Sequence, residues 1–260
     1  MNTQTHLLLA TVLLAQPGRP LRNGAVVAGA LVPDLSIVAM WAWAKLSGIA
    51  ESAIWGDLYW RQEWQSASAV TNSLPFYLAL AVAAAGLGAR LRPGGLPAGG
   101  PPAASGPPAG FDWPIAILAF SLAAMVHIAS DFPVHVLDGH PTFWPFSAWV
   151  FRSPVSYWDP RYYGDYVSFA ELVLAACLIA ILWRRFSSPA IRSALVLVAV
   201  AGARESARKS RTQAIVAKIH EFLMQRWDSY LSRPVSPRPN AAVPAPAIPR
   251  MMTMRAMVPS

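Results

Sequence analysis

Residues 113–131 read WPIAILAFSLAAMVHIASD, an apolar run in which no charged residue precedes Asp131. An α-helix rises about 1.5 Å per residue, so residues 113–130 would extend for about 27 Å. The hydrocarbon core of a bilayer is roughly 30 Å thick. The run therefore predicts a membrane-crossing helix that carries His127 and Asp131 near its end.

Three further apolar runs have a similar length: residues 24–48, 73–91 and 167–183. The chain is 55% hydrophobic and only 13% charged, whereas a soluble domain carries about a quarter charged residues. Its mean hydropathy of +0.37 agrees with lipid as the solvent. We therefore predict an all-α fold, a polytopic membrane helix bundle with about four to five transmembrane helices. The weakly apolar residues 190–203 are the candidate for the fifth, as a short crossing or an interfacial segment.

The bundle is predicted to occupy residues 1–203, and three other segments differ from it in composition. Residues 92–112 consist almost entirely of Arg, Pro, Gly, Ala and Ser, which predicts a linker loop. Residues 204–232 alternate apolar and basic side chains at helical spacing, typical of an amphipathic helix that lies on an anionic membrane surface or on its own protein. Residues 233–260 are rich in proline, which predicts a disordered tail.

The net charge of +8 is better explained by membrane topology than by nucleic acid. No nucleic-acid recognition motif accompanies the charge. The predicted loops of residues 49–72 and 131–166 contain more acidic than basic residues, and the arginines collect on the other side of the crossings. Because cytoplasmic loops are enriched in Lys and Arg, we predict residues 92–112 to be cytoplasmic and residues 131–166 periplasmic. The arginines on the predicted cytoplasmic side are Arg19, Arg22, Arg90, Arg92, Arg184, Arg185 and Arg192.

The N-terminal segment is expected to belong to the mature protein. Residues 7–15 are apolar but too short to cross a bilayer, and they lack the preceding Lys or Arg of a secretory signal. Pro17, Gly18 and Pro20 then predict a break in the chain. Pro33 lies inside the first long run and is expected to disturb that helix, because proline removes a hydrogen-bond donor.

The candidate functional residues are histidines and aspartates of the apolar segments. His127 and Asp131 are four residues apart, so they share one helical face and can share a metal ion. Asp34 lies inside an apolar run, where an unpaired carboxylate is costly, and His6 begins the N-terminal segment. Two imidazoles and two carboxylates suit zinc or another divalent first-row metal, and we expect the four to converge. The alternative is an interfacial histidine beside an aspartate that pairs with it or caps a turn.

Four short motifs occur in order between residues 5 and 147. They are Thr5-His6-Leu7-Leu8, Gly29-Ala30-Leu31-Val32-Pro33-Asp34, His127-Ile128-Ala129-Ser130-Asp131 and Trp144-Pro145-Phe146-Ser147. This ordered set resembles the membrane-bound metal-dependent hydrolases that are grouped with YdjM-like proteins and compared with zinc-dependent phospholipase C. The resemblance implies an inner-membrane protein whose divalent metal is ligated by His6, Asp34, His127 and Asp131. Zinc is the metal expected first.

One position departs from the pattern of that family, which usually carries a histidine before a serine in its second loop. The corresponding step here is Thr71-Asn72-Ser73. An asparagine amide is a poor zinc ligand. The site could then use fewer ligands, take His135 or His140 as a substitute, or have lost catalysis.

Residues 153–160, SPVSYWDP, resemble a bacterial subgroup often labelled as cobalamin-biosynthesis proteins of the CobQ type. The residues do not support that label, because the chain has no phosphate-binding glycine loop. Cys177 lies in an apolar run, a poor place for an amidotransferase nucleophile. It is the one cysteine of the chain, so an intramolecular disulfide and a cysteine zinc site are excluded.

These features together favour metal-dependent hydrolysis of an ester or phosphoester at a membrane face. The metal would activate a water, and a spare carboxylate, Asp131 or Asp138, could take its proton. The location in a lipid bilayer favours a lipid or lipid-linked substrate. The alternative is a non-catalytic membrane protein that uses the same His and Asp residues for structure or partner binding. A transporter ranks last, because only Asp34 lies deep in a predicted crossing.

Overall fold

Helices dominate the parts of the chain that the computed structural model describes, residues 1–91 and 112–204, and these parts contain no β-strand. The prediction of an all-α fold is confirmed. Short 3-10 turns occur at Leu58–Trp60, Phe132–Val134 and Pro160–Tyr162. The α-helices are, in chain order, α1 (Thr3–Leu14), α2 (Pro20–Leu46), α3 (Glu51–Gly56), α4 (Gln62–Thr71), α5 (Leu74–Leu91), α6 (Asp112–Asp131), α7 (Gly164–Arg185) and α8 (residues 189–204).

Within the described residues, 4 helical stretches are long and apolar enough to cross a membrane. They are Pro20–Leu46, Gln62–Leu91, Trp113–Val134 and Gly164–Arg185. Three of them contain a predicted crossing completely, and Pro20–Leu46 covers the predicted run of residues 24–48 except for its last two residues. The four predicted crossings are thus confirmed by length and composition. The helix α8 covers the candidate for a fifth, but at about 24 Å it is shorter than the hydrocarbon core.

The helices α2 and α6 form the most extensive helix pair among the described elements. They approach closely at Gly29, where an added Cβ atom would collide with the backbone carbonyl of Phe120. Small buried side chains, Ala30, Ala119 and Ala123, fill the surrounding contact. Small residues at such positions let membrane helices pack with their backbones close together. This packing brings the end of α6 against the middle of α2.

The break predicted after the N-terminal segment is confirmed, since α1 ends at Leu14 and α2 begins with Pro20. Proline suits the first turn of a helix, where no intrahelical N–H bond is lost. The helix α1 packs on α2, α6 and α7. Arg185 at the end of α7 donates to the carbonyl oxygens of Val12 and Ala15. The C-terminal ends of α1 and α7 therefore lie together.

The helix α2 continues through Pro33, so the predicted disturbance does not interrupt it. Side chains from other helices donate to its carbonyl oxygens around the proline. His127 Nδ1 lies 2.7 Å from the oxygen of Ala30, and Asn72 Nδ2 lies 3.1 Å from the oxygen of Pro33. Such hydrogen bonds from side chains satisfy the backbone carbonyl groups around a proline in a membrane helix.

The segment of residues 49–72 is helical for most of its length, so its interpretation as a loop was wrong. It contains α3, a 3-10 turn and α4. Ile54, Tyr59 and Trp64 from this segment are buried together with Ala44 of α2. Packing of this kind stabilises short helices whose own sequence does not predict them.

Residues 92–111 and 205–260 lie outside the described residues. The predictions of a linker, of a basic amphipathic helix and of a disordered tail fall almost entirely on them. Asp112, assigned to the linker from the sequence, is instead the first residue of α6.

Candidate metal centre

Three helices bring the four predicted ligands together at one end of the bundle. His6 lies on α1, Asp34 on α2, and His127 and Asp131 on the last turns of α6. Both imidazoles are fully buried. Their rings stack, with centroids 3.8 Å apart. Residues that are distant in sequence thus form one compact group.

The proton position on His127 follows from its hydrogen bond to the backbone of α2. Nδ1 lies 2.7 Å from the carbonyl oxygen of Ala30, which can only accept, so Nδ1 carries a proton. In the neutral ring, Nε2 then has a free lone pair. This buried Nε2 has no hydrogen-bond partner, and it faces Asp131 Oδ2 at 3.4 Å and Asp34 Oδ1 at 3.5 Å. A lone pair between two carboxylates requires a cation, either a metal ion or a second proton on the ring.

His6 has the same arrangement. Its Nδ1 lies 2.8 Å from Ser130 Oγ. The Ser130 hydroxyl lies within hydrogen-bond distance of the Val126 and His127 carbonyl oxygens, so its single proton points to the backbone and its oxygen can accept from His6. The Nε2 atom of His6 is then directed at Asp131 Oδ1, 2.9 Å away. Metal-binding histidines usually donate their other N–H to such an acceptor.

The carboxylate of Asp131 lies at the centre of the group. Besides His6 and His127, it contacts His135, whose Nε2 lies 3.1 Å from Asp131 Oδ1. The N-terminal amino group of Met1 also donates to Oδ1. One ligand atom each of His6, His127 and Asp131 lie within 4.8 Å of one another, so these three residues could hold a metal ion.

Asp34 lies at the edge of this group. Its Oδ1 faces Nε2 of His127 at 3.5 Å, while its Oδ2 accepts a hydrogen bond from the hydroxyl of Thr3. The fourth predicted ligand is therefore adjacent to one imidazole but stands outside the tightest three-residue cluster.

His135 lies between two carboxylates, a position that the sequence indicated only as one of two substitutes for a missing ligand. Nε2 is 3.1 Å from Asp131 Oδ1, and Nδ1 is 3.2 Å from Asp138 Oδ2. Burial lowers the pKa of His135, but the two carboxylates outweigh burial and raise it to about 9. The four-residue spacing of Asp131 and His135 is a signal in the sequence, although Pro133 between them predicts the end of the helix.

A small pocket opens beside the group. Its polar side is formed by Asn72, Asp131, His135 and His140. Burial lowers the pKa of His140 to about 4, so its ring is neutral near pH 7. The apolar side of the pocket is formed mainly by Ile128, Phe132 and Phe151.

Asn72, which stands where the family resemblance expects a histidine, is almost fully buried at this pocket. Its Nδ2 donates to the carbonyl oxygens of Pro33 at 3.1 Å and Ser68 at 3.0 Å. The residue therefore joins α4 to α2 next to the candidate metal centre, rather than pointing away from it.

The family model of YdjM inner membrane proteins matches residues 1–210 of the chain. The chain belongs to the YdjM inner membrane protein family. The YdjM match includes every residue of the candidate metal centre, and it agrees with the apolar helices in identifying an integral membrane protein. No curated protein and no solved structure matches this YdjM member.

Proposed function

We propose that this YdjM-family protein is a metal-dependent hydrolase that crosses the bacterial inner membrane several times. In this proposal a divalent metal is bound by His6, Asp34, His127 and Asp131, and zinc is the favoured metal. The substrate is a phosphoester or ester that reaches the metal from the membrane face.

The buried Nε2 atom of His127 carries the proposal. It faces Asp34 and Asp131 without a hydrogen-bond partner, while Nδ1 of the same ring is fixed to the Ala30 carbonyl. Buried carboxylates are costly without cations beside them, and a metal ion at Nε2 of His127 would add one to the Met1 amino group that already donates to Asp131. Zinc accepts this combination of nitrogen and oxygen ligands.

A bound divalent metal lowers the pKa of a water molecule and polarises a phosphoryl or acyl oxygen. Other groups of the chain orient the metal-binding side chains and accept the proton of this water. Ser130 and the Ala30 carbonyl orient the two imidazoles. Asp131 is the carboxylate nearest both rings, and Asp138 lies beyond His135, where the Trp158 indole N–H holds it at 2.8 Å. We assign the proton-accepting role to Asp131 and Asp138.

The location of the centre supports a membrane-resident substrate. Arg185 lies with the C-terminal end of α1, whereas His6 lies near the opposite end of that helix. If the arginine-rich end is cytoplasmic, the centre opens toward the periplasmic side. A lipid or lipid-linked ester would be within reach there.

The test is the metal content and hydrolytic activity of the protein purified in detergent. We expect the wild type to carry a divalent metal and to hydrolyse a p-nitrophenyl phosphodiester or ester. His127→Ala should lose both. His140→Ala is the matched histidine variant, and it should keep the metal because His140 is not part of the three-residue cluster of His6, His127 and Asp131.

A folded wild type without metal after growth in zinc-supplemented medium would contradict the proposal. Loss of metal in His140→Ala would instead show that the ligand set is wrong. Removal of the metal with a chelator should abolish hydrolysis, and addition of zinc should restore it.

A structural role is the second candidate, because the same contacts join three helices. His6 links α1 to α6 through Asp131, and His127 links α6 to α2 through Ala30. In that case His127→Ala would lower the stability of the protein, while the wild type would show no hydrolysis with any metal supplied.

A further inference from the structure

A cluster of aromatic rings begins beside the candidate metal centre. Phe132 directly follows Asp131, and its ring stacks on that of Phe151 with centroids 4.5 Å apart. The Trp149 ring lies 6.2 Å from Phe132, 6.1 Å from Phe151 and 6.0 Å from Phe143. We refer to Phe132, Phe143, Trp149 and Phe151 as the aromatic wall.

Two rings of the wall line the small pocket beside the centre, and Asp131 is the candidate metal ligand that shares this pocket with them. Phe132 and Phe151 line this pocket together with Asp131 and His135, so its lining is partly apolar and partly polar. A ligand that contacts both the polar and the apolar lining residues must carry a polar head and an apolar chain. A small polar ester would leave the apolar side without a partner.

The far end of the wall is open. Trp149 is 52% exposed and Phe143 is 37% exposed, although both rings pack on other aromatic rings. Phe132 lies at the end of the candidate crossing Trp113–Val134, and the other three rings of the wall belong to the segment that follows it, before the next candidate crossing begins at Gly164. Such a segment lies at one membrane face, where aromatic rings are favoured at the headgroup level. Hydrocarbon chains are the apolar partner that this location supplies.

We propose that the aromatic wall binds the hydrocarbon chain of a membrane lipid whose phosphoester head enters the pocket at Asp131. The chain runs from Phe132 and Phe151 toward Trp149, so that burial of its methylene groups holds the head beside the candidate metal centre. The function of the head group rests on the proposed hydrolase activity, whereas binding of the chain depends on the wall alone.

The test uses a non-hydrolysable probe, dodecylphosphonate with a photoreactive diazirine at the end of its chain. The full-length protein in phosphatidylcholine nanodiscs is irradiated with the probe, and the adducts are located by mass spectrometry. Adducts are expected within residues 143–151. Excess unlabelled dodecylphosphonate should remove them, and excess methylphosphonate, which has the same head without the chain, should not.

Variants of the wall distinguish a specific lipid-binding site from nonspecific contact with lipid. Phe151→Ala and Trp149→Ala should each reduce the competable labelling about tenfold, because each removes a large apolar surface. Phe146→Ala is the matched control in the same segment, because the Phe146 side chain is 83% exposed and its hydrogen bond to Phe143 is made by the backbone, which the substitution keeps. This variant should label like the wild type. If Phe151→Ala fails to fold, Trp149→Ala provides the same test, since its half-exposed ring contributes less to the core.

Equal labelling of the wall and of the lipid-facing residues of α5 and α7 would overturn the proposal, as would wall labelling that Trp149→Ala leaves unchanged. The folded, metal-free His127→Ala variant should keep its labelling at the wall, and its loss there would also overturn chain binding by the wall. A wild type that is labelled at the wall but never contains metal would support lipid binding at the wall and contradict the hydrolase proposal.

Discussion

His127 donates from Nδ1 to the carbonyl oxygen of Ala30 across a distance of 2.7 Å, so a side chain of the candidate metal centre also joins the two most extensively packed helices. Ala30 follows Gly29, where the backbone of α6 comes close to that of α2. The distance between His127 and Asp34 is therefore set by helix packing. A change in that packing should alter both the stability of the bundle and the centre.

Gly29→Ala should destabilise the protein by about 1–3 kcal/mol, because inserting a methyl group into a filled contact forces the helices apart. The new Cβ atom would meet the backbone carbonyl of Phe120, which cannot rotate away. The measurement is the unfolding midpoint in detergent. Gly24→Ala is the control on the same helix, because its Cβ would have nothing within 4 Å. Equal midpoints for the two variants would show that α2 and α6 do not pack closely at Gly29.

Asp34→Asn should lower the zinc affinity of the protein by at least about tenfold, because an amide is a much weaker ligand than a carboxylate. The variant keeps the size of the side chain and can still accept the hydrogen bond from Thr3. Asp57→Asn is the matched control, since Asp57 is exposed, pairs with Arg61 and is not part of the three-residue cluster. Zinc binding is measured by competition with a fluorescent chelator. Unchanged affinity in Asp34→Asn would remove Asp34 from the ligand set.

The crossings could be predicted from the sequence because lipid leaves the backbone no partner but itself, so a long apolar run must be helical. The pairing of His127 with Asp131 followed from helical spacing alone. The helix of residues 62–71 could not be predicted, because Trp64 is stabilised by contacts with α2 that are distant in sequence. Nor could the place of His135, since its carbonyl is held by the backbone N–H of Ser153, which belongs to a later part of the loop.

Asn72→His should raise zinc affinity about tenfold, because it adds an imidazole at a buried position that lines the pocket with Asp131. The expectation follows the family resemblance, which implies a histidine at this position. Asn72→Ala is the control, since it also loses the bonds to Pro33 and Ser68 but adds no ligand. Chelator competition on the three purified proteins provides the comparison. A gain in both variants, or in neither, would place residue 72 outside the metal centre.

The segment of residues 131–166, which follows the candidate metal centre, should face the periplasm, and the chain after α7 should face the cytoplasm. Arg184 and Arg185 end α7, and positively charged residues are retained on the cytoplasmic side.

The measurement uses single cysteines at two exposed positions, Leu137→Cys and Ser187→Cys, in a Cys177→Ser background, because Cys177 is itself exposed. A membrane-impermeant maleimide applied to cells with a permeabilised outer membrane should label position 137 and leave position 187 unlabelled. Both positions should label after the inner membrane is opened, which controls for accessibility in the folded protein. Labelling of position 187 alone in the first step would reverse the orientation and place the centre at the cytoplasmic face, where a periplasmic lipid ester could not be its substrate.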